Sequence, residues 1–286
     1  MRAASASAGT RDGVARITYE ISAAFVGEAP TNGTAVHCPA ALRIHPLEAM
    51  SDSTDNSQRS TIAWVGPFVL FLAWIALDKY VPLANPAREL VRDAVITASI
   101  LVFSRHLLPR SAPHWLASIG IGLGVCALWV APDALFPGWR DHALFQNAIT
   151  GRISASIPEG DRSALMLVLR TLRATLLVPV LEELFWRGWL PRWLQDIEFT
   201  KIPLGTYTPF AFWATAALFA SEHGPFWEVG LACGIIYNLW MRRTRSLGDL
   251  MLTHATTNLA LSLYVIATHR WMFWMSSIVR ARARLE

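Results

Sequence analysis

The chain has 286 residues, of which 53% are hydrophobic and only 16% are charged, and its formal net charge is +4. Charged residues make up roughly 25% of a typical soluble domain, so this composition excludes an ordinary soluble fold. The apolar residues fall in recurring blocks, which predict an all-α, polytopic integral membrane helical bundle in a lipid bilayer. The positive charge comes mostly from arginines beside these blocks, as is typical of membrane flanks, and nothing in the chain indicates a nucleic-acid partner.

The N-terminal part differs in composition from the rest of the chain. Residues 1–60 are rich in Ala, Ser, Thr and Gly and lack a sustained apolar run, which predicts a disordered leader. They also lack the apolar core of a signal peptide. Met50 opens a polar stretch that runs straight into the first apolar block. We therefore expect translation to start at Met50, with residues 1–49 an extension of the gene model.

Seven apolar blocks follow and predict about seven membrane helices, with a partial eighth at residues 271–279. Several blocks are shorter than the roughly 20 residues needed to cross a bilayer unaided, so we expect tilted helices or helices that end at a water-filled cavity. The predicted spans are residues 62–77, 91–108, 115–130, 163–194, 210–223, 226–241 and 247–268.

These blocks divide into an N-terminal transmembrane region at residues 61–135, a second transmembrane domain at 160–270 and a basic tail at 271–286. Gly120 and Gly124 lie one helical turn apart in the third span, and this spacing predicts close approach of a neighbouring helix.

Arginines at 242–245 indicate a cytoplasmic loop. Arginines of the tail would then fall on the opposite side, so the sequence leaves the sidedness of the protein open.

Ionisable residues lie within the fourth apolar block, in the fragment Glu-Glu-Leu-Phe-Trp-Arg at 182–187. Glu183 and Arg187 are four residues apart, on one helix face, in the order that favours an ion pair. Glu182 points about 100° away and has no local partner. An unpaired carboxylate removed from water suits a general base or acid. The alternative is a charged patch where the helix meets the membrane interface.

Two further fragments place imidazoles in apolar sequence. Phe219 and His223 share one helix face, just before a Gly-Pro break that can expose the imidazole to a cavity. His254 and Asn258 share a face of the last span in the same way. Asn258 can fix an imidazole tautomer or donate to a developing oxyanion. The alternatives are an ordinary interfacial histidine at 223 and a hydrogen bond between helices at 254 and 258.

The three motifs Glu-Glu-x-x-x-Arg, Phe-x-x-x-His and His-x-x-x-Asn, in this order on successive membrane helices, resemble those of the CPBP glutamic-type intramembrane proteases. These include the type II CAAX prenyl endopeptidases and their bacterial relatives. The resemblance covers roughly residues 160–268. The amino-acid sequence at residues 182–188 and 237–244 looks most like the bacterial CAAX prenyl protease-related branch. This branch is associated with exosortase-type sorting systems. The resemblance therefore implies a bacterial inner membrane.

The resemblance implies a role for each motif residue. Glu182 would be the base that, with His223, activates a water molecule to attack the scissile carbonyl of a membrane-associated protein or peptide substrate. His254 and Asn258 would stabilise the oxyanion. Glu183 and Arg187 would be supporting groups, as would Phe219.

The same motif residues could also bind a metal ion. A glutamate and two histidines, here Glu182, His223 and His254, can form a three-ligand zinc site with one open position. The motif is not His-Glu-x-x-His, however, and the ligands would come from three separate helices. The resemblance implies a glutamate-activated water, so we expect no cofactor, with zinc as the alternative.

Two other functions fit a polar cavity in a helical bundle. A non-enzymatic bacteriocin-immunity or scaffold protein would bind a peptide partner without cleaving it, but it would not need all of Glu182, His223, His254 and Asn258. A transporter would use Glu182 and the histidines as a proton relay and is expected to show an internal repeat with paired broken helices. The sequence shows no such repeat.

Overall fold

The computed structural model describes residues 47–153, 157 and 159–274, with side chains from residue 60 onward. These residues form helices and connecting loops, without a β-strand in any described segment. The predicted all-α fold is confirmed. The predictions for residues 1–46 and 275–286, which include most of the leader and of the basic tail, lie outside the described residues.

Seven principal helices make up the described part of the chain. The first begins at Leu47, so residues 47–60, assigned above to the leader, are helical. In chain order the helices are α1 Leu47–Leu77, α2 Ala87–Ser99, α3 Trp115–Leu135, α4 Ala164–Trp193, α5 Pro209–Ser221, α6 Trp227–Thr244 and α7 Leu247–Thr268.

By length and composition, 4 described helices can cross a membrane: Ser60–Tyr80, Trp115–Leu135, Ala164–Trp193 and Leu247–Thr268. Helix α5 is apolar but shorter. The predicted spans at 91–108 and 226–241 coincide with α2 and α6, which are helical but are not among these four. Large apolar side chains such as Leu263 and Leu123 point outward from α7 and α3, as expected of helices that face lipid. The protein is thus an integral membrane protein.

Helices α3 and α7 pack closely at Gly122, and the prediction for Gly120 and Gly124 is wrong. A Cβ atom on Gly122 would lie 2.6 Å from the Thr253 carbonyl oxygen and 2.7 Å from Thr256 Cβ. A Cβ atom on Gly120 or Gly124 would meet nothing within 4 Å. The sequence indicates small residues on α3 but does not reveal which face of α3 meets α7.

Helix α4 is continuous but contains two π-helical turns, at Arg173–Leu177 and Leu184–Trp189. They flank the short α-helical segment Val178–Glu183, which carries both glutamates of the first motif. A π turn inserts an extra residue, widens the helix and is frequent at functional sites. Proline at 179 also lacks an N–H and leaves a carbonyl of the preceding turn without its usual donor. The helix is therefore irregular where its polar residues lie.

Candidate active site

The motif residues of α7 and of the α5–α6 turn line a single cavity. Its volume is about 360 Å³, and His223, His254 and Asn258 are in its wall. Phe219 from α5, Tyr237 from α6 and Trp129 from α3 complete the aromatic side. The cavity lies among helices apolar enough for a bilayer, so its polar groups lie in water-poor surroundings, where such groups usually serve a function.

His223 is oriented by a backbone carbonyl. Its Nδ1 lies 2.8 Å from the carbonyl oxygen of Phe219, one turn earlier on α5. A carbonyl oxygen only accepts hydrogen bonds, so Nδ1 carries the proton, and Nε2 of the neutral ring is an acceptor. The ring packs against Trp129 at 5.0 Å and Phe219 at 4.7 Å between ring centroids. His223 can therefore take up a proton at Nε2.

His254 is oriented by a carboxylate. Its Nδ1 lies 2.7 Å from Glu183 Oε1, and the same oxygen lies 3.2 Å from Arg187 Nη1. Glu183 and Arg187 are fully buried. The predicted i,i+4 pair of Glu183 and Arg187 therefore forms, and its carboxylate also holds the imidazole of the third motif. Pairing and hydrogen bonding of this kind are what make two buried charges tolerable.

Aromatic rings enclose the guanidinium of Arg187. It lies 4.3 Å from the ring centroid of Phe219 and 5.2 Å from that of Tyr237. Cations over aromatic faces are attracted by the ring quadrupole, more strongly where water is excluded. Phe219, the first residue of the second motif, thus contacts both His223 and Arg187. Its role is structural, because it packs between these two side chains.

Asn258 is held by the first π turn of α4. Its Nδ2 donates to the carbonyl oxygen of Ala174 at 2.8 Å, and Ala174 lies in that turn. One amide hydrogen is used in this bond, and the other is left for a ligand in the cavity. The irregular backbone of α4 thereby positions a side chain of α7.

Glu182 occupies a different environment from Glu183. It is partly exposed and lies close enough to Glu222, Glu183 and Arg187 for their charges to act on it. Within the described residues, Glu182 is not among the side chains that line the cavity. The structure therefore brings His223, His254 and Asn258 to one cavity, with Glu183 bonded to His254.

One wall of the cavity is lined by charged side chains that the sequence does not predict to be there. Arg173 of α4 pairs with Glu89 and with Asp93 of α2, the latter at 3.4 Å, and Glu89 also pairs with Arg92. The sequence indicates one residue of this wall, because Arg173 interrupts an apolar block. Its partners lie on a helix without a motif, so only the fold could identify them.

The zinc alternative concerns the same side chains. Within the described residues, no group of three His, Cys, Asp or Glu side chains is placed to hold a metal ion. Nδ1 of His223 and of His254 each lie beside a protein oxygen, an arrangement that is also usual for histidines that bind a metal through Nε2.

The candidate site lies in a segment that is similar to a known protein family. No curated protein and no solved structure matches the chain. Residues 164–260 match a family model described as Type II CAAX prenyl endopeptidase Rce1-like. The matched segment contains all three motifs, including Glu182, His223, His254 and Asn258. In this segment the chain is similar to the type II CAAX prenyl endopeptidases, which supports a membrane endopeptidase in general.

Proposed function

We propose that the protein is a membrane-embedded endopeptidase that hydrolyses a peptide bond of a membrane-associated protein or peptide. The observation that carries the proposal is the cavity lined by His223, His254 and Asn258 among apolar helices, within the segment that matches the endopeptidase family. A site at this depth suits a substrate that is itself held at the membrane. A soluble substrate would not need a catalytic cavity surrounded by lipid-facing helices.

The proposed reaction uses water as the nucleophile. Glu182 together with Nε2 of His223 accepts a proton from water, whose oxygen attacks the scissile carbonyl carbon. The tetrahedral oxyanion is stabilised by His254 and Asn258, a contribution of several kcal/mol in comparable sites. The proton then passes to the leaving amine as the C–N bond breaks. This sequence balances without a cofactor.

The contacts of Glu183 assign it a supporting role in this proposal. Its Oε1 is engaged by Arg187 and His254, so it orients an imidazole and is poorly available to water. With Nδ1–H of His254 directed at a carboxylate, Nε2 donates to an oxyanion only when the ring is an imidazolium. Glu182 is the neighbouring carboxylate that remains partly exposed.

The test compares membrane proteomes of cells that carry the wild type, Glu182→Gln or His223→Gln. Protein termini that are present with the wild type and missing with both variants would identify the substrate and its cleavage position. Glu198→Gln is the control, because Glu198 is an exposed carboxylate that pairs with Lys201 and belongs to none of the motifs. Identical termini in all four strains, at equal protein levels, would remove the endopeptidase proposal.

A second candidate is a non-enzymatic membrane protein that binds a peptide partner, such as a bacteriocin-immunity or scaffold protein. The absence of Glu182 from the residues that line the cavity favours this candidate. It predicts that Glu182→Gln leaves the phenotype of the wild type intact, whereas cavity-filling changes at Ser262 or Met166 abolish it.

The class of substrate is a further part of the proposal. The resemblance to the bacterial branch supports a location in a bacterial inner membrane and a sorting-tail protein of an exosortase-type system as substrate. A prenylated CAAX substrate is the other possibility that the family description raises. Proteins that accumulate uncleaved in the Glu182→Gln strain would share a C-terminal sorting tail in the first case and a lipidated cysteine in the second.

A further inference from the structure

Helix α6 contributes a buried amide, Asn238, that belongs to none of the three motifs. Its side chain is fully buried in a segment that is otherwise mostly apolar. A buried amide is costly unless its donors and its acceptor are hydrogen-bonded. Its partners therefore indicate why this position is polar.

The contacts of Asn238 fix the orientation of its amide. Nδ2 donates to the carbonyl oxygen of Phe212 on α5 at 2.9 Å. Because a carbonyl oxygen only accepts, the amide must point this way, and Oδ1 faces the opposite side. There Oδ1 accepts from Arg187 Nε at 3.2 Å. The Tyr207 hydroxyl lies 3.5 Å from the same oxygen, and burial raises the pKa of Tyr207, so the hydroxyl stays a donor.

Four side chains thereby form one hydrogen-bonded series that ends at the cavity. Asn238 binds the Nε edge of Arg187, Arg187 binds Glu183 through Nη1, and Glu183 binds His254 Nδ1. The first three members are fully buried, so no bulk water replaces a lost partner. In such a network each member restricts the orientation of the next.

We propose that Asn238 is a positioning residue for His254. By holding Arg187 at Nε, it fixes the guanidinium so that Nη1 meets Glu183, and Glu183 in turn holds His254 Nδ1 with Nε2 toward the cavity. The consequence for catalysis rests on the endopeptidase function proposed above. The orientation of His254 does not, and it can be measured without a substrate.

A purely structural role for Asn238 makes a different prediction. The bond to Phe212 ties α6 to α5, and if that were its whole function, removing the amide would lower stability and leave His254 unchanged. The test must therefore report on His254 itself. Carbethoxylation by diethyl pyrocarbonate does so, because the reagent attacks an unprotonated, accessible imidazole nitrogen and can be quantified at each histidine by peptide mass spectrometry.

The experiment compares the wild type with Asn238→Leu and Asn238→Asp in detergent micelles. Asn238→Leu removes both the donor and the acceptor, and we expect His254 to be modified about threefold faster or more, because Glu183 no longer holds its Nδ1 and the ring loses its fixed orientation. Asn238→Asp keeps an acceptor for Arg187 Nε and should stay within about twofold of the wild type. His114, whose side chain is 50% exposed, is the internal control with an unchanged rate.

Thr215→Val is the matched control for burial. Thr215 is a buried polar residue of α5 whose hydroxyl has no hydrogen-bond partner among the described residues. This variant should leave the modification of His254 unchanged. If Asn238→Leu does not fold, Asn238→Ala removes the same amide without adding bulk and carries the same expectation.

Turnover separates the positioning role from the function itself. With a cleavable substrate, Asn238→Leu should lower kcat by about tenfold and change KM by less than about twofold, since a displaced His254 acts mainly on the transition state. A folded Asn238→Leu or Asn238→Ala protein with wild-type modification of His254 would overturn the positioning role. Altered modification in a protein that cleaves nothing, even as wild type, would retain the positioning role and reject the endopeptidase.

Discussion

Single residues distinguish the two histidines, although both lie in apolar sequence and both line the cavity. His223 Nδ1 faces a backbone carbonyl, and His254 Nδ1 faces the carboxylate of Glu183. A carbonyl accepts Nδ1–H of a neutral ring and leaves its Nε2 as an acceptor, whereas a carboxylate can accept Nδ1–H of a ring whose Nε2 also donates. The two rings are therefore suited to opposite tasks, proton uptake and donation to an oxyanion.

This difference predicts that kcat/KM falls at acidic pH, because a protonated His223 can no longer accept a proton at Nε2. The measurement is peptide hydrolysis by the reconstituted protein across the pH range. A rate that is unchanged on the acidic side would contradict the proton-accepting role of His223.

Gly230 makes the close approach of α6 to His223 possible. A Cβ atom there would lie 3.1 Å from Cβ, Cγ and Nδ1 of His223, which is tighter than ordinary packing. We expect Gly230→Ala to displace the imidazole and to lower kcat by about tenfold to a hundredfold, because a small misplacement of a catalytic group has effects of that size. Gly124→Ala on α3 is the control, since its Cβ would meet nothing within 4 Å. Equal rates for the two variants would refute the packing argument.

At the level of helices, the sequence predicted the order of the helical segments better than their contacts. Apolar block lengths locate α3, α4 and α7 because composition alone decides whether a helix suits lipid. The pair Glu183 and Arg187 was predictable from i,i+4 spacing. The π turns were not predictable, because they depend on the packing of α4 against other helices. The partner of His254 was not predictable either, because it comes from a distant segment.

The contact between α3 and α7 gives a prediction for stability. Gly122→Ala would push a Cβ atom into the Thr253 carbonyl and the Thr256 side chain, so the helices must separate. We expect a loss of about 1–3 kcal/mol, the usual cost of overpacking, measured as a lower midpoint of thermal unfolding in detergent. Gly120→Ala on the opposite face should not lower the midpoint, because its Cβ would meet nothing within 4 Å and alanine is a better helix former than glycine. A similar loss in both variants would contradict the packing contact at Gly122.

For the molecule as a whole, the segment that matches the endopeptidase family does not form the cavity alone. Trp129 of α3, Phe71 of α1 and Glu89 of α2 also line it, and none of them falls within residues 164–260. The N-terminal helices carry no motif, so the sequence predicts no site residues in them. In the fold they supply one wall of the candidate site.

This arrangement predicts that a change outside the matched segment alters catalysis. The Trp129 ring packs 5.0 Å from His223 and 6.3 Å from Phe226, between ring centroids. Trp129→Ala should leave His223 free to turn and should lower kcat by about tenfold or more. Trp115→Ala, at an exposed position of the same helix, is the comparison variant. Hydrolysis at wild-type rates by Trp129→Ala would show that α3 is not needed to place the imidazole.

The two widened turns of α4 have a consequence for the spacing of residues along it. Each carries an inserted residue, so a helical wheel drawn at regular α periodicity places everything beyond such a turn about 100° from its true direction. Deleting one residue from Arg173–Leu177 would restore a regular turn and rotate Asn258's backbone acceptor away from the glutamate pair. The number of residues in the turn therefore sets the direction of the Ala174 carbonyl oxygen relative to the two glutamates. A deletion there should abolish activity even when no polar side chain is lost.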